Sequence, residues 1–216
     1  DTDGNGIGEP VASSKKPYSR NGYTFVPDNM NDEFNNNTSG LLWQWQANPI
    51  PTWAMPNSMN GTLRLNATQI TDSIKNYWEV PNILLQKFPA EEFTATTKFN
   101  YNFRVSGETF GFTIMGLDYA YISVVKRGNE NYLSYTTCKG ADKGNAESEQ
   151  VIAKLTDGNY YFRVKVSKGA VCAFSYSSDG NEFKEIAEKF TATPGKWIGA
   201  KIGYFFTRKE KTNDAG

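Results

Sequence analysis

A strict alternation of apolar and polar residues over residues 93–103 most constrains what this chain can fold into. The odd positions hold Phe, Ala, Thr, Phe, Tyr and Phe, while the even positions hold Thr, Thr, Lys, Asn and Asn. Successive side chains of a strand point to opposite faces, so this spacing predicts a long antiparallel strand with one wet face. Residues 160–166 repeat the pattern, with Tyr160, Phe162, Val164 and Val166 on the inner face.

Turn residues separate several further runs of this kind. Gly128-Asn129, Asp157-Gly158 and Asp179-Gly180 lie between strand-like segments, where such pairs supply the positive φ values that tight hairpins need. The only helix-like pattern is a single turn near residues 72–76. About a dozen short strands with hairpin signals predict an all-β fold, an antiparallel β-sandwich.

Composition narrows the function classes. Lys and Arg together number 23 and equal Asp and Glu at 23, so the charge balance indicates no nucleic-acid partner. No apolar run approaches the roughly 20 residues that span a bilayer, so no membrane partner is expected. The chain has no histidine, which excludes Ser-His-Asp and Cys-His catalysis and the usual catalytic zinc sites. Whether Cys138 and Cys172 pair is left open.

Aromatic residues make up 14% of the chain, and its tryptophans suggest a carbohydrate site. Trp43 and Trp45 are two residues apart and are predicted to share one face of a strand. With Trp53 and Trp78 they are the candidate residues for stacking on sugar rings. Burial in the core is the alternative, and we favour it because large aromatic residues usually serve packing.

The first eleven residues, DTDGNGIGEPV, match the first half of a calcium loop. In such a loop, alternate oxygen-bearing side chains converge on one ion and glycine permits the sharp turn. The twelfth position should hold a glutamate but holds Ala12, so a shorter loop would need Glu9. The predicted ligands of a structural Ca²⁺ ion are Asp1, Asp3, Asn5 and Glu9.

Glu33 is a further candidate ligand of that ion. Adjacent acids at the start of a strand point to opposite faces, so only one of Asp32 and Glu33 can turn inward. An inward carboxylate needs a partner, and calcium is one such partner. A capped strand start on the surface is the other interpretation, and the residues leave both open.

Five stretches, in chain order, resemble the C-terminal concanavalin A-like sandwich of enzymes of glycoside hydrolase family 43. These enzymes are β-xylosidases and α-L-arabinofuranosidases. The stretches are NDEFN…GLLWQWQANP…W, GTLRLNA, NYWEVPNILLQKFPAEEFTATTKF, GFTIMGLDYAYISV and SYSSDGNEFKEI…GKWIGAKIGYF, which span roughly residues 31–212.

The resemblance implies a concanavalin A-like jelly roll and a division of the chain. Residues 1–30 would be an interdomain linker that follows a catalytic β-propeller lying upstream of Asp1. Residues 31–216 would be a β-sandwich accessory domain without the last strand that relatives carry after NDAG. No part of the chain matches the propeller motifs, so no catalytic residue is assigned, and whether the chain is itself an enzyme stays open.

The function implied is that of a noncatalytic accessory module. It would stabilise or position the propeller of an enzyme acting on xylan or arabinoxylan, with plant cell-wall oligosaccharides as a further contact. The parent protein would be a secreted or periplasmic bacterial protein. The alternative is a free-standing, lectin-like carbohydrate-binding domain.

Overall fold

The computed structural model describes residues 4–6, 8, 30–36 and 40–212, and their regular secondary structure is almost all β-strand. The strands are β1 (Gln44–Trp45), β2 (Ala54–Asn57), β3 (Thr62–Leu65), β4 (Thr68–Gln69), β5 (Ile83–Lys87), β6 (Phe93–Asn100), β7 (Thr109–Met115), β8 (Tyr119–Arg127), β9 (Glu130–Cys138), β10 (Ser148–Leu155), β11 (Asn159–Ser167), β12 (Val171–Ser177), β13 (Lys184–Glu185), β14 (Phe190–Thr191) and β15 (Lys201–Arg208). Three single-turn 3₁₀ helices complete the described elements: Pro51–Trp53, Tyr77–Glu79 and Ala141–Lys143. The predicted all-β class is confirmed.

Two large sheets form the sandwich. The eight-stranded sheet has the order β1-β5-β15-β7-β8-β9-β10, with β4 pairing in parallel beside β15. The five-stranded sheet has the order β13-β12-β11-β6, with β14 also pairing with β12. A separate hairpin joins β2 and β3. All large-sheet pairs other than β4 with β15 are antiparallel, as the alternating sequence pattern predicts.

The core between the sheets contains the residues that the alternation assigned to the inner face. Phe162, Val164 and Val166 of β11 are almost fully buried and Tyr160 is 8% exposed. The half-buried aromatic residues of β6 pack against the same cluster, including Phe99, whose ring centroid lies 4.5 Å from that of Phe162. The opposite face of β6 is exposed at every second residue. The one-wet-face prediction for these two strands is confirmed.

The eight-stranded sheet also carries a cluster on its outer face. Ile83, Leu85, Met115, Tyr119 and Phe205 are all 1% exposed or less. Residues of segment 70–80 and of the Ala141–Lys143 helix cover them from outside. This explains why β5, β7 and β8 read as continuous apolar runs rather than as alternating strands.

One of the three predicted tight hairpins is wrong. Gly128, with φ of 60°, joins β8 to β9 as expected, and Gly180, with φ of 80°, lies in the connection between the paired strands β12 and β13. Asp157-Gly158 instead carries the chain from β10 in the large sheet to β11 in the small sheet. A turn sequence specifies a local change of direction, and it does not specify which sheet the next strand joins.

One local element agrees with expectation and one differs. The turn expected near residues 72–76 is present, since the backbone N–H of Ile74 donates to the carbonyl of Thr71 at 3.0 Å, and the 3₁₀ helix Tyr77–Glu79 follows it. A cap starts that helix: the Asn76 side-chain oxygen accepts a hydrogen bond from the backbone N–H of Trp78 at 2.9 Å. The strand expected from WIGAKIGYFF begins only at Lys201, because Trp197 has a φ of 67° and interrupts the extended backbone.

The centre of the large sheet has no room for a side chain at Gly203. A Cβ atom built there would lie 1.8 Å from the carbonyl oxygen of Leu84, which is backbone and cannot rotate away. We expect Gly203→Ala to lower the free energy of unfolding by about 3 kcal/mol or more. Urea denaturation measures this, with Gly199→Ala as the matched control, because nothing lies within 4 Å of a Cβ there. Equal stability of the two variants would contradict the packing.

Candidate functional site

The four candidate tryptophans do not form one stacking surface. Trp53 is only 6% exposed, and Trp45 packs against it with ring centroids 5.2 Å apart. Trp43 packs instead on Tyr204, at 5.4 Å, and Trp78 lies against the outer-face cluster. Their packing supports the core interpretation, and a role in binding carbohydrate stays a prediction.

Asp32 is the acid that turns inward, and its partners are N–H groups. One carboxylate oxygen accepts a hydrogen bond from the indole Nε1 of Trp43 at 2.8 Å. The other accepts from the backbone N–H of Phe34 at 2.8 Å. Phe34 has a φ of 49°, and its ring stacks on Trp43 at 6.0 Å. Asp32 therefore anchors the segment before the first strand to the indole of Trp43.

The predicted calcium ligands are only partly described. Glu33 and Asn5 are both exposed, whereas Asp1, Asp3 and Glu9 lie outside the described residues. Within the described ranges, no group of three or more His, Cys, Asp or Glu residues is arranged to hold a metal ion. Calcium binding therefore stays a prediction. No helix of the described residues is long and apolar enough to cross a membrane.

The two cysteines are free, and each lies in a different apolar cluster. Cys172 belongs to the core between the sheets, and burial raises the pKa of its thiol to about 11. Cys138 belongs to the outer-face cluster, where burial also raises the pKa of the thiol. A raised thiol pKa lowers the fraction of reactive thiolate, so both residues serve packing in this structure.

A groove lined by both charged and apolar side chains lies on the outer face of the eight-stranded sheet. It has a volume of about 470 Å³ and lies between segment 70–80 and the start of β10. Glu147 lines it, and one of its carboxylate oxygens accepts hydrogen bonds from the hydroxyls of Tyr119, at 2.7 Å, and Tyr121, at 3.1 Å. At the rim, Arg127 donates to Glu149 at 2.6 Å. Side chains from distant parts of the sequence therefore converge on one surface.

Three side chains around this groove have raised pKa values. Removal of the carboxyl group from water raises the pKa of Glu147, although the two tyrosine hydrogen bonds act in the opposite direction. Burial raises the pKa of Tyr119 and of Tyr121 well above the ordinary tyrosine value. Both tyrosines are therefore neutral hydrogen-bond donors at neutral pH, and they fix the orientation of the Glu147 carboxylate.

The raised pKa of Glu147 predicts a pH dependence. A carboxyl group whose pKa is higher in the folded than in the unfolded protein adds stability at low pH, and this is lost as the pH rises through the folded-state value. Relative to Glu147→Gln, the wild-type chain should therefore become more stable as the pH falls from about 7 to about 4. Thermal unfolding at several pH values measures the difference. A difference that is constant with pH would show that the pKa is not raised.

A second surface feature is the loop before β15, where two large apolar side chains face water. Trp197 is fully exposed and Ile198 is 40% exposed. The loop is fixed at both ends by backbone hydrogen bonds, from Leu117 N to Pro194 O at 3.0 Å and from Phe88 N to Ala200 O at 3.3 Å. The loop therefore exposes two neighbouring apolar side chains to water while its backbone is held at both ends.

The two packed antiparallel sheets define a β-sandwich of the concanavalin A-like class. Residues 31–216 match the family model of the beta xylosidase C-terminal concanavalin A-like domain. The chain belongs to this family, and the resemblance to the C-terminal sandwich of glycoside hydrolase family 43 enzymes is confirmed.

Two curated relatives agree with this assignment. The chain is 28% identical to a beta-xylosidase of Formosa agariphila over 224 residues, covering 95% of this chain and 36% of the relative. It is 31% identical to a putative beta-xylosidase of Xylanibacter ruminicola over 211 residues, covering 96% of this chain and 36% of the relative. The chain thus spans about a third of the length of the curated relatives it matches, and it corresponds to their C-terminal part.

Solved structures share the fold at lower identity. One is a family 43 glycoside hydrolase engineered to show both endo-xylanase and exo-arabinofuranosidase activity. It matches with a TM-score of 0.76 and 17% identity, covering 92% of this chain and 42% of that one. Another, a bifunctional family 43 protein of Bacteroides eggerthii, matches with a TM-score of 0.71 and 21% identity, covering 85% and 24%.

Sequence reasoning missed the groove. Its polar residues come from segments 75–80, 106–109, 121–127, 147–149 and 207–209, which only the sheet order brings together. One signal was readable: Glu147 and Glu149 are two residues apart and therefore share a face if the segment is extended. The exposed position of Trp197 was not readable, because GKWIG continues into an apolar strand pattern.

The hydrogen bond between Trp43 and Asp32 should contribute measurably to stability. Trp43→Phe keeps most of the ring packing but removes the donor, which leaves a partly buried carboxylate oxygen without its partner. We expect a loss of about 1–3 kcal/mol in the free energy of unfolding. Trp197→Phe is the matched control, expected to change stability by less than about 0.5 kcal/mol because the indole is fully exposed. Equal effects of the two substitutions would contradict the assignment.

Proposed function

We propose that this chain is the noncatalytic accessory module of a longer glycoside hydrolase of family 43 that acts on xylan or arabinoxylan. The observation that carries the proposal is the family match over residues 31–216, together with relatives named beta-xylosidase of which the chain spans 36%. The partner would be a catalytic β-propeller in the same polypeptide, which the module stabilises or positions. Plant cell-wall oligosaccharides would be a further contact.

The chemistry of the described residues supports a noncatalytic role. Hydrolysis of a glycosidic bond needs two carboxyl groups across the substrate, roughly 5–10 Å apart. In the groove, Glu149 is neutralised by Arg127, and one oxygen of Glu147 is held by two tyrosine hydroxyls. We expect the chain alone to release no chromophore from aryl β-xyloside or aryl α-arabinofuranoside above the blank. Turnover that is lost in Glu147→Gln would overturn the noncatalytic assignment.

The loop that carries Trp197 is the surface that we assign to contact with the catalytic domain. A fully exposed indole on an ordered loop exposes a large apolar area to water, and such area is stabilised when it is covered. Ile198 extends the same apolar surface.

Stability measurements in two contexts test this assignment. In the chain alone, Trp197→Ser should leave the melting temperature within about one degree, because the side chain already faces water. In the full-length protein, the same substitution should lower the melting temperature and reduce xylosidase or arabinofuranosidase activity. Met59→Ser is the matched control, since Met59 is 90% exposed but belongs to the connection between β2 and β3. An equal response of the two variants in the full-length protein would overturn the assignment.

We also propose calcium binding by this chain and export of the parent protein from the cytoplasm. A structural Ca²⁺ ion would be held by Asp1, Asp3, Asn5, Glu9 and Glu33, and metal analysis of the purified chain before and after chelation tests it. Secretion or periplasmic export of the parent protein would be tested by fractionation of cells that express it. The alternative function, a free-standing lectin-like domain, is less well supported because the curated relatives are longer than the chain.

A further inference from the structure

The groove on the outer face of the eight-stranded sheet has the dimensions of a ligand site. Its volume of about 470 Å³ lies within the range of roughly 300–1,000 Å³ that small-molecule pockets occupy. Its floor is formed by outward-facing side chains of the sheet, and one wall by segment 70–80. None of the candidate tryptophans lines this groove.

A serine hydroxyl lies at the floor of the groove. Ser123 lines the groove and is 2% exposed, so only the end of its side chain faces the open space. A serine hydroxyl can both donate and accept a hydrogen bond, which suits it to pair with a hydroxyl group of a ligand.

The charged groups around this serine suit a ligand with several hydroxyls. One oxygen of Glu147 is fixed by Tyr119 and Tyr121, while its other oxygen has no partner among the described residues and can accept from a ligand. The rim pair of Arg127 and Glu149 adds a planar donor and a second acceptor. Planar carboxylate and guanidinium groups bind neighbouring hydroxyls in pairs, because their two polar atoms have a similar spacing.

The rest of the lining suits the apolar C–H groups of a sugar ring and the negative charge of a sugar acid. Ile70, Ile74, Val80 and Val125 provide apolar surface for ring C–H groups. Lys75, Lys126 and Lys209 add positive charge at the rim, which would attract a sugar that carries a carboxylate. No exposed aromatic ring lines the groove, so recognition there would depend on hydrogen bonds rather than on ring stacking.

We propose that this groove binds one or two sugar units of a xylan-type polysaccharide, with Glu147 and Ser123 as the hydroxyl-binding residues. The choice of polysaccharide rests on the proposed function, whereas the site itself rests on the groove. A neutral pentose and a uronic acid side group share the hydroxyl chemistry, and the lysines would favour the uronic acid.

An NMR titration of the 216-residue chain tests the proposal. The probes are xylotriose, arabinotriose and a xylotriose that carries one glucuronic acid branch. We expect saturable shifts of amides around Ser123 and Glu147, with a Kd in the millimolar range or tighter. Stronger binding of the branched probe would identify the carboxylate as part of the ligand, and equal binding would identify neutral hydroxyl recognition. No saturable shift in the groove with any probe would overturn the proposal.

Substitutions connect the shifts to the residues. Glu147→Gln should weaken binding about tenfold or more, because it replaces a charged acceptor that the two tyrosines still orient. Ser123→Val, which suits a strand and fills the floor, should abolish binding while the amide spectrum stays folded. Glu185→Gln, an exposed position on β13 of the other sheet, should leave the Kd unchanged. Equal Kd values for all four chains would overturn the assignment of these residues.

Failure of the groove proposal can be distinguished from failure of the proposed accessory function. Shifts confined to residues around Trp43, Trp45 and Trp53 would overturn the groove site and support the tryptophan site instead. Loss of the groove site would leave the response of the full-length protein to Trp197→Ser unaffected, since that loop lies apart from the groove lining.

Discussion

Burial of the eight-stranded sheet on both faces is the constraint on which the rest of the structure depends, and β15 shows it most clearly. This strand pairs with β5 on one side and β7 on the other. Its residues alternate between two cores: Ile202 packs toward the small sheet, and Phe205 packs into the outer-face cluster. A strand with two apolar faces is stable in water only when both faces are covered, so β15 depends on the small sheet on one side and on the outer cover on the other.

Close packing around β15 depends on glycine at two positions. A Cβ atom at Gly111 would lie 2.1 Å from the ring of Phe205, its direct cross-strand partner. The phenylalanine ring therefore occupies the space that the glycine leaves, and the pair contributes buried area that two ordinary side chains could not share. The same strand continues the aromatic packing inward, where the Tyr204 ring lies 5.4 Å from that of Phe112.

The alternating strands and the fold class could be predicted from the sequence because they depend on local periodicity. Phe99 and Phe162 belong to strands with one wet face, and a period of two is visible without knowing any neighbour. The destination of β11 after Asp157-Gly158 could not be predicted in this way. That turn joins two sheets, and the choice between pairing back and crossing over is made by burial of the next strand, which is a property of the whole sandwich.

In the candidate sites, too, the residue types could be read from the sequence, whereas the tertiary contacts that decide their roles could not. The tryptophans were visible as residue types, but their partners decide what they do: Trp53 is covered by Trp45, and Trp43 is held by Asp32. Trp197 has a left-handed backbone φ of 67°, and β15 begins only at Lys201, so the indole lies in a loop and not in the strand that the apolar pattern predicted. Neither the packing partner of a tryptophan nor its backbone φ can be predicted from the residue type alone.

The outer groove follows from the same two-sided burial. Segment 70–80 covers the apolar part of the outer face around Phe205, and the remaining part, toward Ser123 and Val125, is left as an open floor beside it. At this floor, one carboxylate oxygen of Glu147 is held by the hydroxyls of Tyr119 and Tyr121, and Arg127 pairs with Glu149 at the rim. A polar ligand bound there would meet side chains whose orientation is already fixed, which lowers the entropy cost of binding.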